Sequence, residues 1–200
     1  MNPIIFDDED DDEQEKDKSP VIDPLATMML KTRTILISGQ INKELAEKTI
    51  RQLLLLEETN EDPIRIFIDS PGGDAYAGYA IFDMIRFVKP KVWTIGMGLV
   101  ASAAAIIQLA SPKERRVGLP NSHYLIHQPL SGIRGVATDI EIHAKECEKL
   151  REKINRLIAE ETGTPAAQVE KDTDRDYWMS AAEAVNYGLI SRVITNRNEL

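Results

Sequence analysis

Residues 64–88 read IRIFIDSPGGDAYAGYAIFDMIRFV, and their pattern decides the fold class. The β-branched run at 64–69 predicts a short strand, which stops at the SPGG turn of residues 70–73. The apolar residues of 75–88 recur at helical spacing and predict a helix. Strands that alternate with helices in this way are typical of layered α/β proteins with a substantially parallel sheet.

The same alternation extends in both directions along the chain. Further strands are predicted over residues 31–41 and 91–97 and near 114–118 and 123–127, and further helices over 43–58 and 101–110. Neither an internal repeat nor a Gly/Ser-rich linker divides the sequence. Two hundred residues suit one domain, or one domain with an appendage.

A long helix is predicted over residues 137–162 and ends at Gly163. Its apolar residues form one narrow seam opposite a heavily charged face: Ile140, Leu150, Ile154, Leu157 and Ile158. Such a helix either projects and packs against another subunit or lies on the surface of its own domain. Periodicity alone leaves both interpretations open.

The charge of the chain is concentrated near its N-terminus. The 24 basic and 33 acidic residues give a net charge of −9, and residues 7–18 alone carry nine acids and two lysines. This run has no apolar residue to bury, so we expect it to be disordered. The rest of the chain is nearly neutral and lacks the basic excess that nucleic-acid binding requires.

The sequence lacks the motifs and segments that are typical of several other classes of protein. Cys147 is the one cysteine, which leaves no intrachain disulfide and no cysteine-rich zinc site. No signal peptide is recognisable, and the longest apolar stretch, 99–110, is shorter than the ~20 residues that a membrane span needs. We therefore expect a soluble, cytoplasmic protein. Because GxxxxGK[ST], GxGxxG and HExxH are missing, no metal or cofactor is expected.

Ser102 and the glycines of the SPGG turn are candidates for a catalytic site. Glycine lets backbone N–H groups approach a ligand, although a double glycine is also an ordinary tight turn. Ser102 stands between a predicted strand and a predicted helix, where it is either a helix N-cap or a nucleophile close to backbone N–H groups. A GxSxG nucleophile elbow is absent.

Histidines and aspartates supply candidate partners for that serine. His127 lies at the end of a predicted strand, His123 at its beginning, and His143 within the charged long helix. Asp172, Asp174 and Asp176 crowd one segment, where one of them can orient a histidine or all three can be solvated. These residues favour a Ser/His/Asp hydrolase without selecting its members.

Four segments carry a resemblance to a known family. They read SPGGDAYAGYAIFDMI (70–85), GLVASAAA (98–105), LPNSHYLIHQPLSGIRGVATDIEIHA (119–144) and DTDRDYWMSAAEAVNYGLI (172–190). From about Met29 to the C-terminus, the chain resembles the proteolytic subunit of the caseinolytic (Clp) protease. The resemblance implies a crotonase-like α/β fold with a protruding handle helix, and a serine endopeptidase that cleaves unfolded polypeptides.

The resemblance also implies roles for individual residues. The nucleophile falls on Ser102, the general base on His127 and the orienting carboxylate on Asp176, while the backbone N–H groups of Gly73 and Ala103 form the oxyanion hole. A handle over about 132–162 joins two stacked heptameric rings, and Asp174 and Arg175 match positions that make contacts between the rings. A ring-shaped hexameric ATP-driven unfoldase delivers the substrate, so the subunit itself needs no cofactor.

Two departures from the family pattern keep alternatives open. Ala103 and Ala104 replace the usual Met and Gly, and position 104 is strained if it needs a positive φ. The acidic run stands where the family has an axial loop, for which the apolar residues NPIIF (2–6) are the candidate. We therefore expect an N-terminal segment, 1–28, followed by a peptidase domain, 29–200. The alternatives are a catalytically silent ring subunit that needs an active paralogue, and a crotonase-type acyl-CoA enzyme.

Overall fold

The computed structural model describes residues 24–200, so the acidic run 7–18 and the NPIIF segment lie outside the described residues. The helices are α1 (Pro24–Lys31), α2 (Lys43–Thr59), α3 (Ala75–Phe87), α4 (Ala103–Gln108), α5 (Ala137–Thr162), α6 (Ala166–Thr173) and α7 (Ala181–Tyr187). The strands are β1 (Thr34–Ser38), β2 (Ile64–Ser70), β3 (Val92–Ala101), β4 (Arg116–Gly118), β5 (His123–Ile126), β6 (Tyr177–Ser180) and β7 (Arg192–Val193).

The strands form one sheet that is largely parallel, as the alternating pattern predicts. Its main path is β1-β2-β3-β4-β7, with every neighbouring pair parallel. The last residues of β3 pair instead with β5, which pairs antiparallel with β6. Three isoleucines at alternate positions of β2 are fully buried in the core: Ile64, Ile66 and Ile68. Among residues 24–200, no helix is long and apolar enough to span a membrane.

Polar caps fix where the helices beside the site begin. The Asp74 side chain accepts a hydrogen bond from the Ala77 N–H at 2.7 Å and starts α3 directly after the SPGG turn. The Asn42 side chain accepts from the Leu45 N–H at 2.8 Å and starts α2 in the same way. Each cap satisfies an N–H that has no partner inside its helix.

The end of β3 differs from the sequence-based expectation, which placed it at residue 97. The strand continues to Ala101 because Gly98 adopts φ +53 and the Asp69 carboxylate accepts the Leu99 N–H at 3.0 Å. This local rearrangement shifts the β2–β3 register and lets the last part of β3 pair with β5. The expectation was also wrong at the start of the next helix, which begins at Ala103.

Regular structure at the two ends of the described chain was not predicted. Helix α1 crosses the predicted division between residues 28 and 29. Near the other end, α6 and β6 flank a short connection that holds Asp174 to Asp176, in the segment whose aspartates we considered as a solvated loop. The pairing of β6 with β5 orders this connection beside the site.

The long helix α5 has the predicted bounds and projects from the domain. It ends where Gly163 adopts φ +81, a left-handed conformation that glycine accepts without steric cost. Ile154 and Ile158 are buried against the core, whereas the residues of the first half of α5 are almost all exposed. At its base, the Glu161 carboxylate receives hydrogen bonds from Arg86 and Arg116. The helix is therefore anchored at its C-terminal end and free of the domain at the other.

Candidate active site

Ser102 occupies a sharp turn between β3 and α4, with φ 57 and ψ −120. Such a conformation is strained for a residue with a Cβ. The Ser102 N–H donates to the Leu125 carbonyl at 2.9 Å, and its carbonyl accepts from the Ala105 N–H at 2.9 Å. Its side chain makes no capping hydrogen bond. Ser102 precedes the helix but does not cap it through its hydroxyl.

The Ser102 hydroxyl instead contacts the predicted histidine. Ser102 Oγ lies 2.8 Å from His127 Nε2, and His127 Nδ1 lies 2.9 Å from Asp176 Oδ1. The β5–β6 register explains the second contact: Ile126 pairs with Tyr177, which places the preceding Asp176 beside His127. The structure thus brings Ser102, His127 and Asp176 into one hydrogen-bonded series.

The competing aspartates have other partners. The Asp172 carboxylate accepts hydrogen bonds from the Tyr187 hydroxyl at 3.1 Å and from the Gln168 side chain at 2.6 Å. The Asp174 carboxylate lies 3.7 Å from the Arg151 guanidinium. Neither carboxylate contacts the site histidine.

The competing histidines do not contact Ser102. His123 is exposed at the beginning of β5, where it pairs with Ser180 across the sheet. His143 lies on α5 and lines the same cleft as Ser102, but it has no hydrogen bond to the serine. His127 is therefore the histidine that contacts Ser102.

The SPGG turn is packed tightly against the serine. A Cβ on Gly72 would lie 2.6 Å from the Ala101 carbonyl oxygen and 2.7 Å from the Ser102 Cβ. A Cβ on Gly73, where φ is +149, would lie 2.1 Å from the Ile41 carbonyl oxygen. Only glycine fits at these two positions, because any side chain would clash with the backbone of Ile41 or of Ala101 and Ser102.

Two backbone donors beside the serine have no internal acceptor. Within residues 24–200, the N–H groups of Gly73 and Ala103 donate to no protein oxygen. Ala103 is the first residue of α4, where helical N–H groups have no partner inside the helix. Both groups are therefore available to an oxygen atom of a bound ligand.

The alanine pair after the serine causes no backbone strain. Ala103 and Ala104 lie inside α4, and neither has a positive φ. Ala104 is fully buried, where a helical alanine is more favourable than glycine by about 1 kcal/mol. The strain that a positive φ at position 104 would have caused is absent.

A cleft of about 440 Å³ opens beside Ser102 and His127. Its lining is mainly apolar and comes from α4, the end of β5, the following loop and α5: Ala103, Ile106, Ile126, Leu130, Leu150, Ile154 and Ile158. The apolar seam of α5 was predicted, but its place in the wall of the cleft was not. Its signal was the spacing of Leu150, Ile154 and Ile158, which puts all three on one helix face.

The charged and metal-ligating residues near the cleft are few. The ionisable residues that line it are Asp74, Tyr76, His127, His143, Glu146 and Cys147. Among residues 24–200, no group of three or more His, Cys, Asp or Glu side chains is placed to hold a metal ion. Chemically, the arrangement can activate a hydroxyl against a carbonyl carbon and bind the resulting oxyanion.

An α/β fold that carries this arrangement beside an apolar cleft is that of a hydrolytic enzyme. Comparison with known proteins defines the family. The family model for Clp protease matches residues 16–197. The chain is 65% identical to the ATP-dependent Clp protease proteolytic subunit 2 of Treponema denticola over 189 residues, which cover 94% of each chain. It is 50% identical to the proteolytic subunit 3 of Rhizobium meliloti, covering 96% of this chain and 98% of the relative.

A solved structure leads to the same conclusion. A ClpP1 mutant from Listeria monocytogenes superposes with a TM-score of 0.81 at 52% identity, covering 87% of this chain and 98% of that one. The chain therefore belongs to the Clp protease family, as a proteolytic subunit and thus a peptidase. The expected crotonase-like α/β fold with a protruding helix is confirmed.

Proposed function

We propose that this subunit is a serine endopeptidase in which Ser102 is the nucleophile, His127 the general base and Asp176 the carboxylate that orients His127. The observation that carries this proposal is the continuous series of hydrogen bonds, 2.8 Å and 2.9 Å, from Ser102 through His127 to Asp176. The strained turn supports it, since such conformations cluster at functional sites.

The mechanism follows from these contacts. His127 Nε2 takes the hydroxyl proton as Ser102 Oγ attacks the scissile carbonyl carbon. Asp176 accepts the Nδ1–H of the ring and stabilises the imidazolium that forms. The same proton then passes to the leaving amine, which departs and leaves an acyl-enzyme on Ser102. A water molecule, deprotonated by His127, releases the acyl group as a carboxylate and restores the serine.

The oxyanion of each tetrahedral intermediate is assigned to the N–H groups of Gly73 and Ala103. Two observations support this assignment: both N–H groups lack an internal acceptor, and Gly73 and Ala103 line the same cleft as Ser102. Donors that are aimed at the developing charge before reaction need no rearrangement in the transition state, and the loss of one such donor costs about 10²–10³ in turnover.

We further propose that the subunit assembles into two stacked heptameric rings and degrades unfolded polypeptides delivered by an ATP-driven hexameric unfoldase. The Treponema and Rhizobium relatives are named as proteolytic subunits of ATP-dependent Clp proteases, which supports this proposal. The projecting half of α5, with residues 132–136 before it, is the surface assigned to ring-to-ring contact. Asp174 and Arg175, beside the site, are assigned to the same contact.

The test is covalent labelling of the intact chain by a serine-reactive fluorophosphonate, read by mass spectrometry. We expect one adduct per chain, lost in Ser102→Ala together with peptide cleavage. Ser131→Ala is the matched control, because Ser131 lines the same cleft but belongs to no part of the hydrogen-bonded series. Its adduct and its activity should match those of the wild type.

Two results would refute the proposal: labelling or cleavage that survives in Ser102→Ala, or a folded oligomer that gives no adduct at all. The second result would favour a silent subunit that depends on an active paralogue. The alanine pair that motivated this alternative lies in unstrained helix, so no feature of the described residues favours it over an active enzyme. The acyl-CoA alternative uses the oxyanion-binding N–H groups but gives no catalytic role to the contacts of His127 with Ser102 and Asp176.

A further inference from the structure

A buried serine outside the catalytic series holds the SPGG turn. Ser70 is the last residue of β2 and is fully buried. Its hydroxyl donates to the Gly39 carbonyl at 2.6 Å and accepts the Gly72 N–H at 3.1 Å. One side chain therefore joins the segment after β1 to the turn that carries the Gly73 N–H.

Backbone hydrogen bonds also join the segment after β1, residues 39–41, to the SPGG turn and the residues beside it. The Ile41 N–H donates to the Gly72 carbonyl at 2.8 Å, and the Asp74 N–H donates to the Ile41 carbonyl at 2.8 Å. The Gly39 N–H donates to the Asp69 carbonyl at 3.2 Å. The Ser70 hydroxyl is the side-chain member of this set.

The peptide planes on either side of Gly72 are held by different partners. The plane between Gly72 and Gly73 contains the Gly72 carbonyl, which Ile41 holds, and the Gly73 N–H, which points the opposite way because the peptide is trans. The plane between Pro71 and Gly72 is held through its N–H by Ser70. Since glycine turns freely about φ and ψ, both planes must be held before the direction of the Gly73 N–H is defined.

We propose that Ser70 is a positioning residue for the Gly73 N–H as an oxyanion donor. This inference rests on the proposed function, in which that N–H binds the oxyanion. Without the hydroxyl, the Gly72 N–H and the Gly39 carbonyl both lose their partner, and the turn relaxes toward conformations that satisfy them elsewhere. The Gly73 N–H then loses its aim at the reacting carbonyl, although the peptide substrate still binds.

The test compares two inhibitors of identical peptide sequence, an aldehyde and the corresponding alcohol. On the aldehyde, Ser102 Oγ adds to the carbonyl carbon, its proton passes to His127, and the carbonyl oxygen becomes an oxyanion that the Gly73 N–H binds. The alcohol binds without any such oxygen. We expect Ser70→Ala to lower kcat and the affinity for the aldehyde inhibitor, each by about 10- to 100-fold. This is less than the effect of removing one oxyanion donor completely, because the Gly73 N–H is displaced and not deleted. KM and the inhibition constant of the alcohol should stay within about twofold of wild type, because ground-state binding is unchanged.

Ser111→Ala is the matched control, because Ser111 is also buried and donates its hydroxyl to a strand carbonyl, that of Val92, at 2.9 Å. Ser111→Ala should lose about as much stability as Ser70→Ala. Its kcat and the ratio of its inhibition constants for the aldehyde and the alcohol should stay at wild-type values. If Ser70→Ala folds poorly, Ser70→Cys keeps the side-chain volume with a weaker donor and should show the same selective loss.

The inference is overturned if the Ser70 variants keep the wild-type ratio of the inhibition constants for the aldehyde and the alcohol. It is also overturned if kcat and both inhibition constants change together, as they would in a general loss of structure. Failure of the proposed function is a separate result, because it would appear in the wild-type chain as no fluorophosphonate adduct on Ser102.

Discussion

Ser102 combines a strained backbone with a hydroxyl that contacts His127. A positive φ at a residue with a side chain costs about 1–3 kcal/mol, which the surrounding structure must offset. The completely buried helix α4 and the hydrogen bond to Leu125 hold the turn in place. As a result, the hydroxyl is turned away from the helix and toward His127 instead of capping the helix.

Replacement of Asp176 by asparagine tests the orienting carboxylate. The amide of Asp176→Asn no longer stabilises the imidazolium, so we expect kcat to fall by about 10²–10³-fold, less than for a buried carboxylate because 62% of the Asp176 side chain is exposed. Steady-state peptide cleavage measures the effect. Asp172→Asn is the control, because Asp172 bonds to Tyr187 rather than to the histidine. An Asp176→Asn enzyme with wild-type kcat would contradict the assignment.

Tyr124 makes stability depend on pH in alkaline solution. Burial raises the pKa of its phenol to about 12, and the hydrogen bond with Ser122 opposes the shift. Between about pH 10 and 12 the unfolded chain loses this proton while the folded chain keeps it, so stability falls as pH rises, by roughly 3 kcal/mol in total.

Urea unfolding at several pH values above about 9 measures this dependence. Tyr124→Phe should show a smaller decline with pH than the wild type. Near neutral pH the variant should lose only about 1 kcal/mol, because Ser122 keeps its hydrogen bond to the Leu119 carbonyl. An unchanged decline would show that Tyr124 is not its source.

At the scale of elements, α2 depends on a distant side chain for its C-terminal end. The buried guanidinium of Arg33 donates to three carbonyls, those of Leu56 at 2.9 Å, Asn60 at 3.0 Å and Asp62 at 2.9 Å. These carbonyls belong to the last turn of α2 and the residues after it, where helical carbonyls lack internal partners. Arg33 itself adopts φ 53. The residue therefore joins β1 to the end of α2.

Arg33→Ala should destabilise the protein by about 2–4 kcal/mol, since it leaves buried carbonyls without donors and keeps the strained φ. Arg33→Gly also loses the guanidinium but relieves the strain, so it should be more stable than the alanine variant by about 1 kcal/mol. Urea unfolding measures both values.

Arg51→Ala is the control for this pair, because Arg51 is an exposed residue of α2 that pairs with Glu47 one turn away. Its loss should cost less than about 0.5 kcal/mol. A similar small effect for Arg33→Ala would contradict the capping role.

At the scale of the whole molecule, a single chain leaves α5 incompletely packed. The helix has 26 residues and is about 39 Å long, but its buried residues all lie in its second half. The first half and the loop before it expose several apolar side chains: Leu130, Val136, Ile140 and Ile142. Exposed apolar residues grouped on one projection indicate a surface that another subunit covers.

Ile142→Asp tests this surface as the site of the proposed assembly. Burial of one isoleucine contributes about 1.5–3 kcal/mol, so its loss should weaken each contact by roughly 10- to 100-fold. Sedimentation velocity should then show smaller species at concentrations where the wild type is fully assembled. The neighbouring Glu141→Gln changes an exposed charged residue and should assemble normally. If Ile142→Asp assembled like the wild type, α5 would not be the contact surface.

Local sequence was sufficient for features that depend on neighbouring residues. Both bounds of α5 agree with the prediction because its periodicity is long and Gly163 ends it. The β2–α3 unit was predicted because Asp74 caps the helix right after the glycine turn. Both features arise from contacts within about four residues, which sequence patterns record directly.

The contacts between residues at the site depend on the tertiary structure. Which aspartate faces His127 depends on the pairing of β5 with β6, which brings His127 and Asp176 together across 49 residues. Local periodicity does not distinguish Asp176 from Asp172 or Asp174, although the family resemblance does. The contacts of Ser70 likewise join segments 31 residues apart. The sequence by itself determined the α/β layers and the candidate residues at the strand ends, because these depend on local periodicity. The family resemblance named Ser102, His127 and Asp176, but only the folded chain brings the three side chains into contact, because these contacts join segments that are distant in sequence.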